Sequence, residues 1–385
     1  MKTANQNLFH SGVAATAVAA GREDCPVSAP KENTATNIYE IQPLCDQRWT
    51  SLVQSHPRSS VFHSTNWLSA LQNTYGYEPF VVTTSPPNAP LTNGLVFCRI
   101  RSGLTGCRLV SLPFSDHCEP LVSNPGEPGD LLFDAMYMHM KQQVRHGEWK
   151  YIELRPVVYE PSSHTELSRG IKYFVHRLDL RPSARELFCN FHKDCVQRKI
   201  RRAEREKLQF EEGTSEELLR KFYRLLVMTR RRQYLPPQPL KWFRGLIASF
   251  GNDLKIRVAS KDGVAVASTL TLTHKKTVVY KYGCGDAAFN RLGGTALLFW
   301  KTIQDAKEHG FEELELGRSD VDNLGLIAFK EHWGATRTLI SYWSYPPEST
   351  ELPSVWKHTL ARHLVPTLPD IALETIGKLL YKHIG

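Results

Sequence analysis

From Leu254 to Ser260 apolar residues alternate with polar ones, the period of a strand with one buried face. Val264, Val266, Leu270 and Leu272 resume the alternation after Lys261-Asp262-Gly263, so the two segments read as a hairpin. Thr277 to Tyr282 predicts a third strand, with Val278, Tyr280 and Tyr282 on one face and Val279 and Lys281 on the other. The period then changes. Past Gly283 and Gly285, residues Ala296, Leu297, Trp300, Ile303 and Ala306 recur mostly at three- and four-residue spacing, as on one buried helical face, and Gly310 ends that helix. Leu314 and Leu316 alternate with Glu313 and Glu315 in a further strand that ends in Gly317-Arg318-Ser319-Asp320.

The first half carries a similar pattern. Phe62 to Leu71 reads as a helix capped by Ser64 or Thr65, with Trp67, Leu68 and Leu71 facing inward. Strands are predicted at Glu78–Thr83, Leu95–Arg101 and Arg108–Leu112, a helix from about Asp130 to Arg145, and a strand at Tyr151–Arg155. Ile152-Glu153-Leu154-Arg155 and Leu314-Glu315-Leu316-Gly317-Arg318 follow helices that both close in His-Gly, at His146-Gly147 and His309-Gly310. Equivalent pieces at equivalent points are the mark of a duplicated unit. The Leu112-Pro113-Phe114-Ser115-Asp116-His117 turn has two readings, a cleft wall or a turn with one buried aromatic. The expected class is α/β (α+β). The expected organisation is a disordered tail over 1–37, a first unit over 38–182, a basic helical connector over 183–250, a second unit over 251–345 and a helical tail over 346–385.

With 385 residues the chain is long enough for two or three ordinary cores, and no apolar run is long enough to span a bilayer. Its eight cysteines show no CxxC and no Cys/His ligand spacing, so reduced, intracellular use is expected, with no disulfide scaffold and no metal. The net charge of +9 calls for anionic partners. Much of it lies in the connector, where Arg201–Glu204 and Arg202–Glu206 ion pairs are one account and a phosphate-binding wall another. Arg230 and Arg232, ahead of Pro236-Pro237, are the candidates for that wall. At Arg291-Leu292-Gly293-Gly294-Thr295, glycines and a helix N-terminus are suited to a phosphate, and Arg291, Gly293, Gly294 and Thr295 are the candidate cofactor residues. The competing account is a tight turn whose glycines serve packing.

Arg291-x-x-Gly294-x-Ala296 resembles the Gln/Arg-x-x-Gly-x-Gly/Ala signature of the GNAT acyltransferases. Trp67 with Tyr75-Gly76-Tyr77, the turn ending in Asp116, Lys199-Ile-Arg-Arg-Ala203, Thr229-Arg-Arg-Arg232, Gly317-Arg-Ser-Asp320 and the run Gly325 to Gly334 resemble the FemAB family. The resemblance implies tandem GNAT-like units, each a mainly antiparallel sheet flanked by helices. It also implies transfer of an acyl or aminoacyl group, from acyl-CoA or aminoacyl-tRNA, to an amine of a phosphate-bearing envelope precursor of peptidoglycan or exopolysaccharide. Two alternatives are a soluble acyl-CoA-dependent transferase for a small amine and a non-enzymatic phosphate- or RNA-binding protein on this fold.

Uncatalysed amines need deprotonation, and the donor carbonyl needs polarisation. Arg318 is the candidate to hold an acceptor carboxylate or phosphate, with Ser319 and Trp333 beside it in the same motifs, and Asp320 to position the amine. Lys330 is the candidate for donor phosphate or oxyanion, and Tyr282 for protonating the leaving group. Each has a structural alternative: a surface ion pair for Arg318, a helix cap for Asp320, a snorkelling side chain for Lys330 and a core ring for Tyr282. The expected location is cytoplasmic, with no DNA partner. The tail Val355–Gly385 either lies on the inner membrane or packs back on the second unit.

Overall fold

The computed structural model describes residues 36–122, 129–347 and 365–384. The expected disordered N-terminal tail therefore lies outside the described residues apart from its last two positions, as does 348–364 of the C-terminal tail. The strands are β1 (Tyr39–Ile41), β2 (Glu78–Thr83), β3 (Leu95–Ile100), β4 (Arg108–Val110), β5 (Tyr151–Leu154), β6 (Ser168–Asp179), β7 (Gln209–Gly213), β8 (Leu254–Lys261), β9 (Val264–His274), β10 (Thr277–Gly285), β11 (Glu313–Asp320) and β12 (Thr336–Tyr345). They form one twelve-stranded sheet in the order β1-β2-β3-β4-β5-β12-β6-β11-β10-β9-β8-β7. Two neighbouring pairs are parallel, β4 with β5 and β10 with β11, and the others are antiparallel.

The helices are α1 (Gln47–Ser55), α2 (Thr65–Tyr75), α3 (Gly129–Arg145), α4 (Ala184–Asn190), α5 (Arg198–Arg205), α6 (Glu216–Arg232), α7 (Leu240–Phe250), α8 (Gly294–Glu308) and α9 (Leu324–Glu331), followed by a C-terminal helix, Asp370–Ile384. Ser64 caps α2 by accepting the Trp67 N–H, and Gly76 ends it at φ +73°, a conformation that costs glycine little. One core runs across both halves. It joins Trp49, Phe62 and Trp67 of the first half to Phe222, Trp242 and Leu270 of the second. Trp67 and Trp242 meet edge to face at 5.3 Å, an arrangement favoured by the aromatic quadrupole. A second core lies behind α8, where Phe299 stacks on Trp333 at 5.1 Å.

Three expectations change. The basic connector is not a linker: α5 and α6 pack on the second half's helix and strands, and Gln209–Gly213 within it is an edge strand. The twelve-residue β6, which falls in the expected first unit, lies between β12 and β11 and bonds to both. The described tail helix rests on both halves. Arg108 of β4 donates to the His383 carbonyl at 2.7 Å, Tyr77 to the Tyr381 carbonyl at 2.9 Å, and Tyr381 to the Pro236 carbonyl at 3.2 Å.

Candidate active site

Pairing between β10 and β11 covers Thr277–Val279 against Glu313–Glu315 and stops there. Both strands then shift register against their outer neighbours, β10 between Tyr280 and Tyr282 and β11 between Glu315 and Arg318. Such bulges re-aim side chains. Here they overturn the expected alternation: Tyr280 joins Phe299 behind α8, whereas Tyr282 faces the opposite core and accepts the Trp242 indole N–H at 2.8 Å. Lys281 is turned into the opening between the strands, over the rings of Phe62 and Trp67. Gly317 bends β11 at φ +66°, and a Cβ there would stand 3.1 Å from Asp116 Oδ2.

Asp116 thus enters the second half's opening from the first half's turn. Lys281 donates to its Oδ2 at 2.9 Å, and Arg318 Nε lies 3.9 Å from its Oδ1. Tyr342 donates to the Asp116 carbonyl at 2.9 Å and bonds Arg318, whose guanidinium also lies 4.4 Å over Tyr173. Lys330, 3% exposed, does not snorkel outward. Its ammonium donates to the carbonyls of Gly317 at 2.8 Å and Arg318 at 2.9 Å, and so fixes the bend in β11. Burial brings Lys330 down to about 8 against the attraction of Asp116 and Glu315. Burial also raises the Asp116 carboxyl, but Lys281 and Arg318 outweigh it and hold the group below its ordinary value. Burial lowers Lys281 despite its carboxylate partner. Lys281, Arg318 and Lys330 outnumber the carboxylates that act on them, Asp116 and Glu315, and the excess of positive potential favours a developing oxyanion.

A cavity of about 630 Å³ is lined by His117, Val279 and Glu315, at the end of β10 and β11 where the two strands are paired. At its buried floor His117, next to Asp116, bonds Glu315 at 2.9 Å, and Arg177 reaches the same carboxylate at 3.2 Å. Arg58, Arg181, Lys275 and Lys276 also line the cavity, together with Glu119, Asp179 and Glu312, which pair with Arg58, Arg181 and Lys276 in turn. Burial raises the carboxyl of Glu313, which lines it too.

A smaller groove, about 190 Å³, lies at the start of α8 between Lys199, Asn290, Thr295 and Phe329. Gly293 stands at φ +83°, where a Cβ would run into the Lys199 carbonyl of α5. A Cβ on Gly294 would stand 3.1 Å from the Ala267 Cβ and 3.2 Å from the Val266 side chain. Packing of α8 against α5 and β9 thus accounts for both glycines, and the phosphate account rests on the groove. Thr295 lines that groove, and Arg291 is exposed on the turn leading to it. At the end of α6, Thr229 bonds both backbone groups of Gly285, placing Arg230 and Arg232 near the start of the same turn; Arg230 donates to Gln233 and Arg232 to Thr229.

The predicted residues therefore separate into groups. Arg318 and Lys330 meet at the centre, Gly293, Gly294 and Thr295 at the groove. Tyr282 is corrected to a core residue, walled in by Trp242 and Phe243, with its hydroxyl pushed well above the ordinary value by burial; Trp333 is 1% exposed between Phe191 and Phe299 and lines the groove at α8. Ser319 is buried on β11, and Asp320 is exposed at its end. The cap of α9 is Asn323, not Asp320. Arg202 does pair with Glu206, at 2.6 Å, whereas Arg201 lies over Phe188. Lys281, Tyr342 and Tyr173 escape the sequence reading, and Asp116 was only one candidate reading of a turn. A lysine interrupting an apolar strand was the available signal. The cysteine reading needs correction as well: His192-x-x-Cys195 is a Cys/His spacing, and the fold adds His332 beside it.

Residues 192–331 match the family model of the acetyltransferase (GNAT) domain. No curated protein matches the chain. Among solved structures, FemX is similar at 13% identity and a TM-score of 0.59, over 79% of this chain and 96% of FemX. A tandem GNAT protein from the clavulanic acid biosynthesis pathway is similar at 14% identity and 0.52, over 80% of this chain and 98% of that one. The C-terminal domain assigned to a lysylphosphatidylglycerol synthetase of Agrobacterium fabrum gives 14% and 0.50, over 77% and 90%. The fold is that of a GNAT-type acyltransferase in tandem form. FemX shares this fold over most of both chains. Among the described residues no helix is long and apolar enough to cross a membrane.

Proposed function

We propose that the protein transfers an acyl or aminoacyl group to an amine carried by a phosphate-bearing envelope precursor. The observation that carries this reading is the opening between β10 and β11, where Asp116, Lys281 and Arg318 converge. Beyond Val279 the facing backbone of β10 has no β11 partner, so its N–H groups are free of the parallel ladder and can meet a donor carbonyl. Asp116 accepts a hydrogen bond from the incoming amine in its neutral form; the new C–N bond replaces the carbonyl's bond to the donor's thiol or ribose oxygen, and the proton lost by nitrogen reaches that leaving group by way of solvent. Lys281 and Arg318 stabilise the negative charge that develops on the carbonyl oxygen as the amine attacks. Lys330 acts through the Gly317 and Arg318 carbonyls and is a positioning residue.

The donor enters by the groove at α8, where Lys199 and Thr295 suit a phosphate group. An acyl-CoA fits this reading, with aminoacyl-tRNA as the second donor class. The acceptor occupies the 630 Å³ cavity, where Lys275 and Lys276 on the turn between β9 and β10 can reach its phosphates. The resemblance of the sequence motifs to the FemAB family supports the envelope precursor, and the likeness to the tandem GNAT protein of the clavulanic acid pathway supports a CoA donor.

Thermal unfolding with acetyl-CoA, CoA, charged tRNA and uncharged tRNA tests the donor, because a ligand of the folded state raises the melting temperature by mass action. Selective stabilisation by CoA species, with transfer to an amine that Asp116→Asn loses, is the expected result. Stabilisation by charged tRNA alone would make the donor aminoacyl-tRNA. Transfer at the wild-type rate in Asp116→Asn would remove the centre from the reaction.

A further inference from the structure

His192, Cys195 and His332 each place one ligand atom within 4.8 Å of the others. They come from two elements. His192 precedes the π-helical turn Lys193–Gln197, which holds Cys195, and His332 caps the C-terminus of α9. The scaffold between them is fixed in the backbone, where the His192 N–H donates to the His332 carbonyl at 2.9 Å. That bond sets the two imidazole rings 4.4 Å apart. Cys195 is a free, partly exposed thiol, and His192 is exposed, so the cluster is open to ions from solvent.

We propose that this cluster binds a divalent transition metal of the zinc class, through one thiolate and two imidazoles. The donor set is the borderline-soft one that zinc takes, and three protein ligands leave a fourth tetrahedral position for water. Zinc–sulfur and zinc–nitrogen bonds of normal length set tetrahedral donors about 3.3–3.6 Å apart. Side chains at an exposed edge close that remaining gap by rotamer adjustment. One rearrangement is required: His192 Nδ1 now accepts the Cys195 N–H at 3.2 Å, which puts the neutral ring's proton on Nε2. Ligation by this ring gives up that single capping bond. On binding, the thiol loses its proton to solvent and no electron is transferred. Cys195 also lines the groove at α8, so an ion held here would stand at the groove's wall. The metal site itself does not depend on the proposed acyl transfer.

The test is a cobalt(II) titration of the reduced, full-length protein, followed by absorption, with zinc added in competition. The expected result is one equivalent of cobalt, a sulfur-to-cobalt charge-transfer band, visible bands of four-coordinate intensity, and displacement of both by zinc. Cys195→Ser should abolish the charge-transfer band, and His332→Gln should weaken binding at least tenfold, with circular dichroism unchanged in both. No stoichiometric binding to the wild type overturns the site. So does a charge-transfer band that survives Cys195→Ser, since another thiol would then hold the ion. Neither readout involves acyl transfer, so failure of the metal site and failure of the proposed activity are distinguishable.

Discussion

The two parallel strand pairs, β4–β5 and β10–β11, are built alike and finished differently. Each has three paired positions, and Glu153 of β5 faces Val110 as Glu315 of β11 faces Val279. Two residues on, the first half has Arg155 and the second has Gly317. Arg155 stitches its opening shut, with bonds to Glu153 at 2.7 Å and to the carbonyls of Leu112 at 2.9 Å and Ser115 at 3.2 Å. Gly317 has no side chain to do so, and Asp116 takes the space. The contrast teaches that one opening is structural and the other is available for chemistry. It also explains why the site needs both halves: the turn that Arg155 braces is the one that carries Asp116 across.

The largest effect should come from Asp116→Ala, which leaves Lys281 and Arg318 without their carboxylate. Breaking a buried pair this way typically costs about 3–5 kcal/mol. Urea unfolding should show that loss, and transfer should fall at least a hundredfold. Adding Lys281→Met should restore much of the stability without restoring transfer. Recovery of both would mean that the centre is only structural.

Arg155→Ala and Gly317→Ala test the contrast itself. Removing Arg155 leaves Glu153 and two carbonyls short of a donor, so stability should fall by about 2–4 kcal/mol, with transfer reduced only as far as the Asp116 turn loosens. Gly317→Ala strains a residue at positive φ, costs about 1–2 kcal/mol, and pushes on Asp116. Transfer per folded molecule should then drop more in Gly317→Ala than in Arg155→Ala. The reverse order would break the comparison.

Lys330 gives a pH signature. Its folded value of about 8 lies below the unfolded value of about 10.4, so between the two the unfolded chain binds more protons. The penalty of burying this cation is therefore present in full below about pH 8 and fades as pH rises toward 10. Stability relative to Lys330→Met should increase over that window, measured by urea unfolding of both proteins. A flat difference would place the ammonium in a wetter site. The smallest effect is expected from Arg291→Ala: unchanged stability and a few-fold weaker binding of CoA species by calorimetry. Gly294 is a poor probe of the same site, because a side chain there meets Val266 and Ala267 before it meets any ligand.

Local pattern alone determined the hairpin β8–β9, α8, β11, the capped α2 and the repeat of Ile152-Glu153-Leu154 as Leu314-Glu315-Leu316, because each is set by side-chain period and turn chemistry within a few residues. Arg318 and Lys330 could be picked out as candidates too, Arg318 from the polar end of a core strand and Lys330 as the single lysine of an apolar helix. β6 and β12 were not singled out. Their partners lie across the sheet from one another's halves, and the outer residues of β12, from Thr336 to Leu339, are exposed, which blurs the alternation. The faces of Tyr280 and Tyr282 were decided by a bulge that exists only against β9, and a bulge exchanges the sides that a two-residue period assigns. Asp116 and Lys281 are 165 positions apart, and His192 and His332 belong to different elements. No spacing along the chain encodes such meetings. They follow from how the sheet is ordered and where its parallel pair comes apart.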